Sequence, residues 1–198
     1  MAGGRGNRMG GGVEKPLLEI SGESMFERVV SVLRSCSSIE RIVVASSRST
    51  PATTIRAGEL QVESIITPGE GFEEDMRFAI RQLSLTEVLV ISSDLPFVTA
   101  HVIEGAFRKY RDERKPALAV MAPPELYERF DLKPSYVFNI NGRKLVPVGI
   151  NILDAGRINE GSLEQTELVI DCADVVFNVN TPGELEAARK RVDLKGKG

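Results

Sequence analysis

Six glycines and three cations crowd the first sixteen residues, MAGGRGNRMGGGVEKP. Glycines let a backbone come close to an anion and aim its N–H groups at it, while Arg5, Arg8 and Lys15 supply charge able to grip a polyphosphate. Two standard phosphate loops fail on spacing. The pattern G-x-G-x-x-G traced from Gly4 reaches Gly6 but then Met9, and a Gly-Lys-Ser/Thr ending is excluded because Lys15 follows Glu14. A flexible chain terminus has the same composition, and on these residues alone the two readings stand level.

Two further segments carry chemistry-bearing types. Asp94 stands just beyond the apolar run Val88-Leu89-Val90-Ile91, at the carboxyl end of a strand, where open α/β sheets bind ligands. A carboxylate there suits Mg²⁺ held against substrate phosphates. For a lone aspartate, a turn cap ahead of Pro96 is the plainer reading. Asn178-Val179-Asn180-Thr181-Pro182 repeats the arrangement at a second strand-to-helix junction. Asn180 could add a neutral oxygen to a metal shell, with a simple turn asparagine as the local alternative. The single histidine, His101, falls in the first turn of a helix and receives no catalytic part. Asp171 and Asp174 read as solvated turn carboxylates.

The elements that must position these groups alternate. Ser24-Met25-Phe26-Glu27 is a capping box, and Met25, Phe26, Val29, Val30 and Leu33 recur at helical spacing. Arg41 to Ser46 predicts a buried parallel strand leading into a Ser/Thr/Pro loop, and Glu63 to Ile66 a weaker strand. After the break Thr67-Pro68-Gly69-Glu70-Gly71 comes a helix with its stripe at Phe72, Met76, Ala79, Ile80 and Leu83. Val88–Ile91 is the strongest strand; a helix capped at Thr99 and a strand at Ala117–Met121 follow. Tyr136–Ile140 and Lys144–Val148 flank Asn141-Gly142 as an antiparallel hairpin with a type I′ turn, able to form a flap beside the main sheet. Val175–Val179 predicts a strand. Thr181-Pro182-Gly183-Glu184 starts a helix ending near Val192, with a disordered basic tail over 193–198.

Composition narrows the function classes. With 198 residues, 42% of them hydrophobic, the chain suits one domain with a sizeable core. A net charge of −3 without a basic tract argues against nucleic acid. Two lone cysteines, Cys36 and Cys172, and one histidine indicate neither a disulfide framework nor a zinc site. No apolar run approaches the roughly 20 residues of a membrane span, so the expectation is a cytoplasmic protein with a small-molecule partner.

Taken in order, the three segments resemble the MobA-like nucleotidyltransferase family. Its Gly-Gly-x-x-x-Arg-Met-Gly…Lys-Pro loop matches Gly3, Gly4, Arg8, Met9, Gly10, Lys15 and Pro16; its Asp-x-Pro matches Asp94-Leu95-Pro96; its Asn-x-Asn-Thr-Pro-x-x-Leu matches Asn178 through Leu185. Within the family, Gly11–Leu17, Gly69–Asp75, Ser92–Leu95, Ala119–Met121, Pro147–Asn151 and Phe177–Thr181 are most similar to archaeal guanylyltransferases acting on adenosylcobinamide phosphate.

The resemblance implies a single Rossmann-like α/β domain over 1–198, with a mostly parallel central sheet, helices on both faces and a small antiparallel hairpin in the second half. It implies transfer of GMP from GTP to adenosylcobinamide phosphate with release of pyrophosphate, assisted by Mg²⁺. Ala2, Gly3, Gly4, Arg5, Gly6, Arg8, Met9, Gly10 and Lys15 would wrap the triphosphate. Arg8, Lys15 and Asp94 would be catalytic, and Asp94 with Asn180 would hold the metal. Loops containing Ser46, Ser47, Thr67, Gly69 and Gly71 would meet the base, while Gly149 and Asn151 would meet the acceptor. A homodimer is compatible with the resemblance. Relatives place an apolar strand ahead of Met-Ala-Gly-Gly, which implies a first strand cut short at Met1 and a natural start upstream. Two alternatives stand beside this one: a relative acting on molybdopterin or a sugar phosphate, and a nucleotide-binding regulator without turnover.

Overall fold

The computed structural model describes residues 1–4, 12–134 and 136–195. Strands β1 (Glu19–Ile20) and β2 (Glu23–Ser24) form a short antiparallel hairpin before helix α1 (Met25–Ser35). Next come β3 (Val43–Ser47), α2 (Pro51–Glu59), β4 (Glu63–Thr67), α3 (Phe72–Leu83), β5 (Glu87–Ile91), α4 (Ala100–Glu113) and β6 (Ala117–Ala122). The chain continues through α5 (Pro124–Glu128), β7 (Phe138–Ile140), β8 (Arg143–Asp154), β9 (Gln165–Val169) and α6 (Pro182–Lys195).

Local chemistry explains several boundaries. At α1 the Ser24 Oγ accepts from the Glu27 N–H at 3.2 Å while a Glu27 carboxylate oxygen accepts from the Ser24 N–H at 2.9 Å. The Ser24 hydroxyl, the Ser24 amide and Arg56 together hold the Glu27 carboxyl down to about 2 against its desolvation. Asn141 and Gly142, at φ 50° and 79°, make the β7–β8 turn in which both central residues lie left-handed.

β3 and β4 pair in parallel, whereas the larger sheet runs β5-β8-β6-β9, with β7 paired to β8. β8 is antiparallel to β5 and β6, and β6 is parallel to β9. β8 is thus the reversed strand of an otherwise parallel arrangement. Its Val148, Ile150 and Ile152 are fully buried and join one core with Leu118 and Val120 of β6 and Ile103, Ala106 and Phe107 of α4.

Between β3 and β5 runs a slot. Met1 and Ala2 bridge its top in a strand-like position: the Met1 amine donates to Ile91 O at 2.8 Å, Ser93 N donates to Met1 O at 3.1 Å, and Ala2 N donates to Ala45 O at 2.7 Å. Below that bridge lies a cavity of about 580 Å³ bounded by Val43, Ala45, Val90 and Ile91, together with Met76, Ala79 and Ile80 of α3. Burial lowers the Met1 ammonium from 8.0 to about 6, with the Asp94 charge pulling the other way.

Four expectations are corrected. The strand expected at Val175–Val179 is instead a single 3-10 turn, Ala173–Val175, and irregular backbone. Its apolar residues are buried all the same, since an apolar run reads alike in a strand and in a core-filling loop. The hairpin is no separate flap: β8 continues past Val148 into the centre of the sheet. Helix α6 carries on to Lys195, so residues 193–195 are helical and not tail; residues 196–198 lie outside the described set. Asp174 is no free turn carboxylate but contacts Arg191, whose guanidinium lies 4.7 Å from the Phe177 ring centroid and 4.9 Å from that of Phe97.

Candidate functional site

Lys15, Asp94 and Asn180, separated by up to 165 positions in sequence, converge above the carboxyl ends of the central strands. The Lys15 ammonium contacts an Asp94 carboxylate oxygen and donates to Asn180 Oδ1 at 2.7 Å. Both ionic side chains are largely shielded, at 16% and 11% exposure, which strengthens their attraction relative to a surface pair.

Each member is held by its own element. Asp94 follows β5, and its carbonyl accepts from the Val179 N–H at 3.0 Å, tying the two junction loops together. Asn180 is fixed from behind by Glu184 in the first turn of α6: one carboxylate oxygen accepts from Asn180 N at 2.6 Å and Thr181 N at 2.8 Å, while Thr181 Oγ1 accepts from Glu184 N at 3.2 Å. This reciprocal cap aims the Asn180 amide oxygen at Lys15. Asn178 packs against the pair, one atom of its side-chain amide lying 3.1 Å from both Asp94 carboxylate oxygens and 2.7 Å from Asn180 Nδ2.

Lys15 owes its place to a neighbour that the sequence reading missed. Glu14 accepts from Ala52 N at 2.7 Å, Thr53 N at 2.7 Å and Thr53 Oγ1 at 2.6 Å. It thereby supplies the carboxylate at the start of α2, where Thr50 makes no side-chain cap bond. The same fact explains why α2 was read as a loop: its cap lies 38 residues away in sequence. Asn178 and Glu184 were missed as site residues too, although the Thr-Pro-Gly-Glu box was itself a signal for Glu184.

Ser46, Ser47 and Thr67 are buried and knit to their surroundings. Thr67 Oγ1 donates to Ser46 O at 2.8 Å, Thr54 Oγ1 to Ser46 Oγ at 2.8 Å, and Ser47 Oγ to Gly3 O at 2.7 Å. They form the floor under Gly3, whose missing Cβ would sit 3.2 Å from Ser47 Cβ and 3.3 Å from backbone, so a side chain there would push the loop off its seat. Gly69, at φ 81°, lies over the same serine, and the buried Asp75 accepts from Gly69 N at 2.8 Å to pin that turn. Gly71 adopts φ 129° at the start of α3. Arg5, Gly6, Arg8, Met9 and Gly10 lie outside the described residues.

Gly4, Lys15, Asn178 and Asn180 open onto a cleft of about 920 Å³. Gly149 and Asn151 of β8 line it, as do Ser92, Lys133 and the aromatic side chains of Phe72, Tyr136 and Phe138. Gly149, at φ 85°, packs its Cα side against Ser92, Asn178 and Leu95. Tyr127 also borders the cleft, and burial pushes its hydroxyl up to about 12, so it stays neutral.

The donor set can be tested against a divalent cation. Among the described residues no three His, Cys, Asp or Glu side chains gather as a metal group. One carboxylate and one amide oxygen are too few for an all-protein cage. They suit a hard cation that keeps waters and takes its remaining oxygens from phosphate, as Mg²⁺ does. Among the described residues no helix is long and apolar enough to cross a membrane.

Comparison with known proteins agrees with this geometry. A sequence profile of the MobA-like NTP transferase domain matches residues 1–139. The chain is 35% identical over 206 aligned positions to the adenosylcobinamide-phosphate guanylyltransferase of Methanocaldococcus jannaschii, covering 99% of this chain and 97% of that protein. It is 28% identical to a probable molybdenum cofactor guanylyltransferase of Pelotomaculum thermopropionicum, over 96% of this chain and 89% of the other. Among solved structures, a CMP:2-keto-3-deoxy-manno-octonic acid synthetase complexed with CTP superposes with a TM-score of 0.74 at 16% identity, covering 94% of this chain and 95% of the other. The molybdopterin-guanine dinucleotide biosynthesis protein A of Archaeoglobus fulgidus gives 0.67 at 18%, over 98% and 96%.

Proposed function

This chain belongs to the MobA-like NTP transferase domain family, and from that premise we propose that it transfers GMP from GTP to adenosylcobinamide phosphate. The acceptor's phosphate oxygen forms a bond to the α-phosphorus of GTP, the bond from that phosphorus to the β-bridging oxygen breaks, and pyrophosphate leaves. One new diphosphate bridge replaces the one lost. Such a transfer asks the protein for positioning and charge neutralisation more than for a covalent nucleophile. The observation that carries the reading is the meeting of Lys15, Asp94 and Asn180, with Gly4, Lys15 and Asn180 lining one cleft.

In this reading Gly3 and Gly4 bring backbone up to the triphosphate, and Arg8 and Lys15 neutralise charge growing on the phosphates. Lys15 turns from Asp94 toward the nucleotide when it binds. Asp94 and Asn180 hold Mg²⁺, which supplies positive charge against the phosphate oxygens. Glu184 keeps Asn180 aimed, and Glu14 keeps Lys15 at the cleft. Ser46, Ser47, Thr67, Gly69 and Gly71 shape the ledge for guanine through backbone groups, while Gly149 and Asn151 face the acceptor.

The test is a panel of acceptors scored by pyrophosphate release from GTP with Mg²⁺. Release with adenosylcobinamide phosphate is expected. Release only with molybdopterin or a sugar phosphate would move the chain to another member activity, and calorimetric GTP binding with no release from any acceptor would make it a regulator.

A further inference from the structure

The cleft lining is of two kinds: Lys15, Asn178 and Asn180 supply charge and amides, and Phe72, Tyr136 and Phe138, at 46%, 70% and 51% exposure, supply aromatic surface. Exposed aromatic rings are a cost in water that an apolar partner relieves by covering them. Apolar patches rimmed by polar groups mark binding surfaces. Another exposed ring, Phe130, is engaged with Phe177 at a centroid distance of 5.4 Å and with Arg191. The cleft-lining rings are instead presented to the cleft from two separate elements.

Both presentations are built. Phe72 is the first residue of α3, directly after the Gly69–Gly71 turn that Asp75 pins. Phe138 opens β7 opposite Leu145, anchored to β8 by the tight Asn141-Gly142 turn, and Tyr136 stands two residues before it.

We propose that Phe72, Tyr136 and Phe138 form an aromatic wall that grips the transfer acceptor by a broad, largely apolar ring system, leaving its phosphate arm to reach Lys15 and Asp94. This deepens the acceptor reading given above and rests on it. A wall of three exposed rings favours an acceptor with broad apolar surface over a compact one such as a sugar phosphate. The guanine base is the competing occupant. At Tyr136 and Phe138 it is disfavoured because the Ser46–Thr50 and Thr67 segments lie on the β3–β4 side and do not line this cleft, whereas Gly149 and Asn151 of β8 do; Phe72, directly after Gly71, is the ring nearest in sequence to the ledge given to guanine.

The test uses the full-length chain with a Tyr136→Ala/Phe138→Ala double variant, a Phe72→Ala variant, and Tyr136→Phe as the conservative control. Because all three side chains are exposed, unchanged circular dichroism and melting temperature are expected. Two readouts separate the claims. The first is equilibrium dialysis with adenosylcobinamide lacking the phosphate, followed by its visible absorbance, which needs no turnover. Affinity is expected to fall about tenfold in the double variant, less in Phe72→Ala, and to persist in Tyr136→Phe. The second is steady-state pyrophosphate release, where KM for the phosphorylated acceptor should rise about tenfold with kcat and KM for GTP within about twofold. Equal corrinoid binding by wild type and the double variant overturns the wall, as does a rise confined to KM for GTP. Failure of wild type to release pyrophosphate with any acceptor overturns the transferase reading alone, while the dialysis still decides the wall.

Discussion

Two hollows flank the Met1–Gly4 segment, and their linings differ. The slot between β3 and β5 has aliphatic side chains and strand edges at its centre, Val43 and Ala45 on one side and Val90 and Ile91 on the other, with Glu40, Arg41, Glu87 and Arg111 also in its lining. The cleft beside Asp94 is walled by lysines, asparagines, glycine backbone and exposed rings. The slot offers ladder N–H and C=O groups and apolar cover, which is what a peptide strand needs. The cleft offers charged and amide groups together with exposed aromatic surface, which suits a ligand carrying both a polar group and an apolar body. Met1 belongs to both: its backbone bridges the slot and its ammonium feels Asp94. Position beside the strands does not decide what a cavity binds; the chemistry of its lining does.

The sharpest way to break the comparison is at the cleft. Asp94→Ala is expected to lower pyrophosphate release about a thousandfold or more while leaving the fold intact, because it removes the one carboxylate of the proposed metal set. Activity surviving that change would remove Asp94 from the site. At the slot, adding five apolar β-branched residues ahead of Met1 should raise the melting temperature by roughly 5–10 °C through newly buried area and ladder bonds, with a polar scramble giving no gain. Calorimetry on the two extended chains decides it.

A smaller effect joins the two hollows. The Met1 amine titrates near 6 in the fold and near 8 when unfolded, so the unfolded chain binds the extra proton between those values. Stability should therefore rise with pH from about 6 to 8, by ~2–3 kcal/mol at most, and N-terminal acetylation should flatten that slope. Urea titrations across that range measure it. Smallest is Glu14→Ala, expected to cost about 1 kcal/mol of stability by uncapping α2 and to lower kcat/KM about tenfold through a misplaced Lys15. Unchanged kinetics alongside lost stability would confine Glu14 to a structural part.

Much of the molecule was legible before any coordinates. The capping boxes at Ser24 and Thr181, the cap at Thr99 and the Asn141-Gly142 turn are local chemistry, complete within four residues, and each stands where it was read. The strand at Val175–Val179 was misread because period and burial coincide in a buried loop. Helix α2 was missed because its capping carboxylate is remote. For the site, Lys15, Asp94 and Asn180 are named from three separate segments joined by the family resemblance, whereas Glu14 became visible only through its contacts with distant backbone and side chains.

The sequence by itself determined the helix caps, the tight turn and the alternation of elements, since these depend on neighbours a few bonds away. Only the tertiary structure decided that Ser46 and Thr67 are knit together beside the seat of Gly3, that β8 is the reversed central strand, and that three aromatic rings share one cleft with Lys15 and Asn180. Those outcomes depend on which surfaces pack together, and packing joins residues that the chain keeps far apart.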